Sequence, residues 1–137
     1  MTTNKTTRRP PIHMTNVEAE SLTNLALNVE ARMPDVSELL LDEIARAKIH
    51  APDKIGADVV TMYSTVEFID EGSGAKRTIE LVYPPEADIS AGRISILTPV
   101  GAGLIGLRTG QSILWPDRDG RERKLTIVDV RRNAVNA

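Results

Sequence analysis

Two stretches near the start of the chain carry apolar residues at helical spacing. Between residues 15 and 33 these side chains recur three and four positions apart, which is typical of one helix face. They are Leu22, Leu25, Ala26, Val29 and Met33. Thr15 and Glu18 form the capping-box pattern of a helix start, and Pro34 predicts the end of this helix.

A second helix is predicted to begin at Asp35, which forms another capping-box pattern with Glu38. Its apolar face consists of Val36, Leu39, Leu40, Ile44 and Ala47. Because the connection is short and each helix has mainly the other to cover it, we expect them to fold back antiparallel. Residues 14–50 are therefore predicted to form a short helical hairpin with its tip at Glu30–Asp35.

From Pro52 onward the apolar residues follow a period of two, which is typical of strands. The predicted strands are residues 58–69, 77–83 and 93–97, and residues 112–115 and 123–130 form a last hairpin. They are connected by turns at 70–75 and 116–120 and by a brief buried helix at 100–107. Residues 51–134 are thus predicted to form an antiparallel β domain with one short helix, and the fold class is α+β. Residues 1–13 carry three cations, no acids and few apolar residues, so we expect a disordered tail.

Composition excludes several classes of function. The 137-residue chain has no cysteine, so disulfides and cysteine-based metal sites are ruled out, and its two histidines, His13 and His50, cannot form a His-x-x-x-His ligand pair. The net charge of −2 and the 3% aromatic content argue against sequence-specific nucleic-acid binding. With no long apolar span and no signal-peptide pattern, we expect a cytoplasmic protein without a membrane partner. No residue set predicts catalysis, a cofactor or a bound metal.

Several sequence segments, taken in order, resemble the C-terminal domain of the Gre transcript-cleavage factors (the GreA/GreB family). They are Ala57–Met62 (ADVVTM), Glu80–Tyr83 (ELVY), Gly92–Leu97 (GRISIL), Thr98–Leu107 (TPVGAGLIGL), Gly110-Gln111 and Ile113–Trp115. Within that group, the short hairpin together with the segments DVVTM, LVYP and SILTPVGAGLIGL resembles the regulators of nucleoside diphosphate kinase. The similarity covers roughly residues 15–132.

This resemblance implies an FKBP-like C-terminal domain behind an N-terminal coiled coil, and bacterial RNA polymerase as the partner. In Gre factors the C-terminal domain docks at the rim of the secondary channel of the polymerase. Two acids at the coiled-coil tip then help to hold a catalytic magnesium ion. The resemblance to the kinase regulators also implies an effect on nucleoside diphosphate kinase levels, although no residue here indicates direct contact with that enzyme.

The predicted hairpin is shorter than a Gre coiled coil, and this difference bears on activity. A carboxylate must come within ~2 Å of magnesium to bind it, and arms of about fifteen residues reach only ~20–25 Å. Arg32 also lies between the tip acids. We therefore predict a non-enzymatic transcription regulator that binds the polymerase near its secondary channel without stimulating transcript cleavage.

Two groups of residues are candidates for binding the partner. At the hairpin tip they are Glu30, Asp35 and Glu38, although the last two have an alternative role as a helix cap. In the C-terminal domain they are the basic residues Arg108, Arg118, Arg121 and Arg123, whose interleaved acids weaken the cluster. Asp42 and Glu43 are interpreted as a solvated helix face.

Other functions stay open at this point. They are a true cleavage factor acting through the tip acids, a prolyl isomerase of the FKBP type, and a generic protein-interaction module. The last could self-associate through apolar residues such as Leu41 or Ile49, and the sequence does not decide whether it does.

Overall fold

The computed structural model describes residues 11–116 and 122–132. Over these residues it contains three α-helices and a mostly antiparallel sheet, which confirms the α+β class. The elements in chain order are β1 His13–Thr15, α1 Asn16–Asn28, α2 Pro34–Arg46, β2 Lys48–His50, β3 Ser64–Asp70, β4 Lys76–Val82, β5 Arg93–Ser95, α3 Pro99–Leu104, β6 Ser112–Pro116 and β7 Glu122–Arg132. No helix in the described part of the chain has the length and apolarity that crossing a bilayer requires.

The main sheet has five strands in the order β5-β4-β3-β7-β6. Its neighbours are antiparallel except β4 and β5, which pair in parallel. Alternate residues of β3 point into the core, so Val66 and Phe68 are buried as the period-two pattern predicts.

The first predicted strand begins later than the alternation suggested. We expected it from Asp58, but β3 starts at Ser64 because Tyr63 has a positive φ of 70°, which interrupts extended backbone. The buried hydroxyl of Ser64 accepts the backbone N–H of Thr61 at 2.9 Å and closes this turn. The alternation still identified the core correctly, since Val60 is fully buried.

Helix α1 begins where the capping pattern placed it. The Thr15 side chain accepts the backbone N–H of Glu18 at 3.0 Å, and Leu22 and Ala26 are fully buried. One contact was not predictable from local pattern: the Glu18 carboxylate accepts the backbone N–H of Met62, 44 positions away, at 2.8 Å. Glu18 therefore connects the first turn of the helix to the segment that leads into β3.

The start of α2 corrects the sequence interpretation. The first helix was predicted to run to residue 33 and to end at Pro34, but α1 ends at Asn28. Pro34 is instead the first residue of α2, a position where its missing N–H costs nothing. The N-cap is Met33, which makes no side-chain capping bond. The predicted capping box of Asp35 and Glu38 is therefore wrong, because both residues lie inside the helix.

A second correction concerns Glu43, which we expected on a solvated face. Its side chain is only 3% exposed and lies 2.8 Å from the guanidinium of Arg46. Helix α2 packs against α3 as well as against α1, so more of its surface is covered than the apolar stripe alone predicts.

The chain segments on either side of the two helices pair with each other, which the sequence did not predict. Strands β1 and β2 form a two-stranded parallel sheet in which His13 is the partner of Lys48, and Thr15 of His50. Ile12 is 1% exposed, and its carbonyl accepts the N–H of Lys48 at 2.9 Å. The predicted tail over residues 1–13 is thus wrong for Ile12 and His13, which are ordered by this pairing.

One hydrophobic core joins the helices to the sheet. The helical pair, residues 16–46, contributes Leu22 and Leu40, which belong to the same buried cluster as Val66 of β3 and Leu81 of β4. A domain boundary at residues 50 and 51 stays a prediction, as do the coiled-coil and FKBP-like descriptions.

Helix α3 confirms that the apolar segment at 98–107 is core. Thr98 caps it by accepting the N–H of Gly101 at 3.0 Å, and Leu104 and Leu107 are fully buried. Gly106 has a φ of +86°, and a Cβ there would lie 2.8 Å from the Cβ of Ile12 and 2.9 Å from the carbonyl oxygen of His13. This glycine therefore allows β1 to lie against the segment after α3, where the His13 N–H donates to the Gly106 carbonyl at 2.9 Å.

We expect Gly106→Ala to lower the free energy of unfolding by about 2–4 kcal/mol, as measured by urea denaturation. About 1–2 kcal/mol comes from the left-handed backbone, and the rest from the steric clash with β1. Gly74→Ala is the matched control, because Gly74 also has a positive φ but no atom within 4 Å of its Cβ position. Equal losses in the two variants would contradict the close approach of β1.

Candidate functional site

The tip of the helical pair is a short turn that is held by a backbone hydrogen bond and a buried valine. Residues Val29–Met33 connect α1 to α2, and the Met33 N–H donates to the Val29 carbonyl at 2.7 Å. Val29 is only 2% exposed, whereas Glu30 and Arg32 are exposed. The buried valine thus turns the polar residues of the tip outward.

A buried hydrogen bond ties the two helices together just below the tip. The hydroxyl of Ser37, which is 1% exposed, donates to the carbonyl of Ala26 at 2.8 Å. This bond joins the last turn of α1 to the first turn of α2. It fixes the positions from which the tip side chains project.

The three predicted tip acids, Glu30, Asp35 and Glu38, are all exposed. Asp35 and Glu38 are three positions apart on α2, and Asp42, also exposed, follows four positions later on the same face. Since the capping role is excluded, these carboxylates are available for a basic partner surface. Among the described residues, no group of three or more histidine or acidic side chains could hold a metal ion.

The reach of this tip is limited. Each helix has 13 residues, which corresponds to ~20 Å. Leu22 and Ala26 of α1 and Val29 in the connecting turn are buried in the common core, so the helical pair is packed on the body.

Of the predicted basic group, the structure describes only the side chain of Arg108. Its guanidinium is half exposed and lies 3.6 Å from a carboxylate oxygen of Asp58. Arg118 and Arg121 lie outside the described residues. Arg123 is placed in β7 opposite Trp115, but its side chain is outside the description as well. The basic cluster therefore stays a prediction.

The structure brings together two histidines that the sequence separates by 37 positions. Nδ1 of His13 lies 3.0 Å from Nε2 of His50, and the ring centroids are 5.1 Å apart. Their spacing in the sequence excludes a His-x-x-x-His motif, but the pairing of β1 with β2 makes the two residues neighbours. No local signal indicates this, because the strand partners lie on opposite sides of the helical pair.

The two imidazoles line a cavity of about 150 Å³ at the base of the helical pair, which we call the basal cavity. Its lining residues are His13, His50, Ile55, Gly56, Val59 and Arg108. Burial lowers the pKa of His13 below 6.5, and the nearby charges of His50, Arg108 and Lys48 lower it further, while Asp58 opposes them. The cavity thus has a positive electrostatic environment.

Two of the four aromatic residues of the chain also lie close together. The ring centroids of Tyr63 and Tyr83 are 6.0 Å apart, and the Tyr63 hydroxyl donates to the Glu86 carboxylate at 2.6 Å. This hydrogen bond raises the pKa of Tyr63 to about 12. Both rings are partly exposed and lie beside the backbone turn at Tyr63.

Comparison with known proteins identifies relatives of this chain. Residues 55–132 match the family model for the C-terminal part of transcription elongation factor GreA/GreB. The regulator of nucleoside diphosphate kinase from Escherichia coli (strain K12) is 34% identical over 122 residues, which cover 89% of this chain and 90% of that protein. The chain belongs to the GreA/GreB family.

Further matches agree with this assignment. Transcription elongation factor GreA of Acidiphilium cryptum is 32% identical, with 93% of this chain and 85% of that protein covered. The solved structure of a prokaryotic transcription elongation factor GreA/GreB from Nitrosomonas europaea superimposes with a TM-score of 0.72 at 39% identity, covering 90% and 99% of the two chains. The fold is therefore GreA/GreB-like, and the relatives support a regulator of the transcription-factor type.

The histidine pair predicts a pH dependence of stability. The pKa of His13 in the folded state is below 6.5. The neutral ring therefore contributes to the free energy of unfolding above that pH, and this contribution is lost as the pH falls through the folded-state pKa. We expect His13→Gln to flatten this part of the pH profile of unfolding, measured by urea denaturation between pH 8 and pH 5. The change should be at most about 1 kcal/mol, because the ring is partly solvated.

His50→Gln serves as the partner variant, since it removes the same interaction from the other side. The double variant should add little to either single variant. Independent, additive effects of the two substitutions would show that the rings do not interact in solution.

Proposed function

We propose that this protein is a non-enzymatic transcription regulator that binds bacterial RNA polymerase near its secondary channel and does not stimulate transcript cleavage. The observation that carries the proposal is the exposed acidic tip, whose carboxylates have no capping role in α2, on a helical pair that is short. Family membership supports the choice of partner. This partner implies a cytoplasmic location.

The proposed absence of cleavage activity follows from the short reach of the helical pair and from the positive charge of Arg32. The resemblance implies that in Gre factors the coiled coil enters the channel and brings its tip acids close to a magnesium ion. Direct coordination requires a carboxylate oxygen within ~2.1 Å of magnesium. Helices of ~20 Å that are partly held in the core leave the tip acids short of that position, and exposed Arg32 would oppose a nearby cation.

The C-terminal domain supplies the second contact in this proposal. Arg108 is half exposed and provides a cation for an acidic patch at the channel rim. Arg118, Arg121 and Arg123 extend this surface in the sequence prediction. Two separate contacts would fix the orientation of the protein on the polymerase better than either contact alone.

A downstream effect on nucleoside diphosphate kinase is a second element of the proposal. It rests on the similarity to the regulator of nucleoside diphosphate kinase from Escherichia coli, which matches about nine-tenths of this chain. We propose that the effect acts on the level of that enzyme through transcription, rather than through direct contact. Comparing kinase transcript and activity in cells with and without the protein tests this; an unchanged transcript with changed activity would contradict it.

We expect the protein to bind core RNA polymerase in competition with a Gre factor. Neutralising the tip by Glu30→Gln, Asp35→Asn and Glu38→Gln together should weaken binding about 3- to 150-fold at low salt, because three exposed charges that contribute ~0.2–1 kcal/mol each sum to ~0.6–3 kcal/mol. Glu20→Gln, Asp53→Asn and Glu71→Gln together are the matched control, since they remove three exposed charges away from the tip. Binding is measured by displacement of a labelled Gre factor.

An equal loss of binding in the triple control variant would show that net charge, not the tip, matters. Failure of the unmodified protein to displace the Gre factor would overturn the proposal. In that case sedimentation would distinguish a module that self-associates from one with a different partner.

We also expect no shortening of RNA when the protein is added to backtracked elongation complexes. A Gre factor in the same assay provides the positive control. Cleavage that is lost in the triple tip variant would instead identify a true cleavage factor.

A further inference from the structure

The basal cavity combines features of an anion site. Its lining includes one guanidinium and two imidazoles, and its volume of about 150 Å³ exceeds what a single water needs. It lies where β1 and β2 meet the segments around Val59 and Arg108, which also form an isolated β-bridge. Backbone pairing on both sides therefore holds the cationic groups in place.

The charges around the cavity favour an anion over a metal ion. The groups that face His13 are His50 and Lys48 from β2, and Arg108 and Asp58 from the body. Three of these four are cationic when protonated, and only Asp58 is an acid. Two imidazoles without a third ligand, beside two permanent cations, form a poor site for a transition metal.

Arg108 has donors available for a ligand. The 3.6 Å between its Nε and the Asp58 carboxylate is longer than a hydrogen bond, so this ion pair is loose. A guanidinium carries five N–H donors in a planar fork that matches the oxygens of a phosphate group. A bound anion can therefore use Arg108 without breaking a tight contact.

We infer that the basal cavity binds a tetrahedral oxyanion of the phosphate and sulfate class, held by the Arg108 guanidinium and by ring N–H groups of His13 and His50. This site is separate from the acidic tip; it shares Arg108 with the proposed polymerase contact but does not depend on that binding. In the neutral pair one ring uses its only N–H in the hydrogen bond between the rings, so only the other ring can donate to the anion, whereas an imidazolium has a second N–H for it. When both rings are protonated, their mutual hydrogen bond is lost, and the anion offsets the repulsion between them.

Binding at this site is linked to protons. An anion between the rings stabilises the imidazolium forms, so by reciprocity it raises the pKa of His13 and binds more tightly at lower pH. Sulfate is the suitable probe, because its own charge does not change between pH 5 and pH 8. Phosphate then tests the ligand class at fixed pH.

The experiment is an NMR titration of the histidine rings with sodium sulfate at constant ionic strength. The chain contains only two histidines, so His13→Gln and His50→Gln assign both ring signals. We expect saturable shifts of both rings, tighter binding at pH 6 than at pH 8, and a higher pKa of His13 in saturating sulfate. Chloride at equal ionic strength should produce no saturable change.

Two variants should move the affinity in opposite directions. Arg108→Gln removes the main donor and should weaken sulfate binding about tenfold, the loss typical of one charge-assisted contact. Asp58→Asn removes the competing carboxylate and should strengthen binding several-fold, which damage to the fold would not do. Arg131→Gln is the matched control, because Arg131 also lies 3.6 Å from an aspartate but is outside the cavity lining.

The source of the anion is decided by comparing inorganic phosphate with a nucleoside 5′-monophosphate. Tighter binding of the nucleotide assigns the site to phosphate esters, and equal binding assigns it to the free oxyanion. The inference is overturned if sulfate causes no saturable shift, or if Arg108→Gln and Arg131→Gln weaken it equally.

Discussion

The parallel pairing of β1 with β2 closes the helical pair onto the rest of the protein. The Ile12 carbonyl accepts the N–H of Lys48, and on the other side the N–H of His13 donates to the Gly106 carbonyl. These bonds fix both ends of a 32-residue excursion at one place, so loop closure is achieved by backbone hydrogen bonds rather than by a covalent link. Without these bonds, the orientation of the buried faces of α1 and α2 relative to the core would not be fixed.

This closure also determines what the tip can do. Leu22, Leu40 and Val29 are buried in the same cluster as the sheet, so the helical pair is packed on the body rather than freely projecting. A packed helical pair positions its tip side chains firmly but limits their reach. The same geometry therefore favours surface recognition over delivery of carboxylates to a distant metal ion.

The junction where β1 pairs with β2 also brings charged and titratable side chains together. Parallel register places His13 and His50 on neighbouring strands, and the segment carrying Arg108 crosses beside them. Burial and cationic neighbours destabilise the protonated form of His13. The residues that hold the fold closed at this point thus also respond to protons, which links the stability of the junction to its ionic surroundings.

The sequence by itself determined the elements whose signals are local. Helical periodicity located α1 and α2, alternation identified Val66 and Phe68 as core, and segment order indicated the family. Local signals gave the wrong role to Asp35, because Pro34 is equally suited to end one helix or begin the next. Only the tertiary structure decided the β1–β2 pairing, the burial of Glu43 and the meeting of His13 with His50. These depend on hydrogen bonds and packing between residues far apart in the chain, and no periodicity within either segment encodes its distant partner.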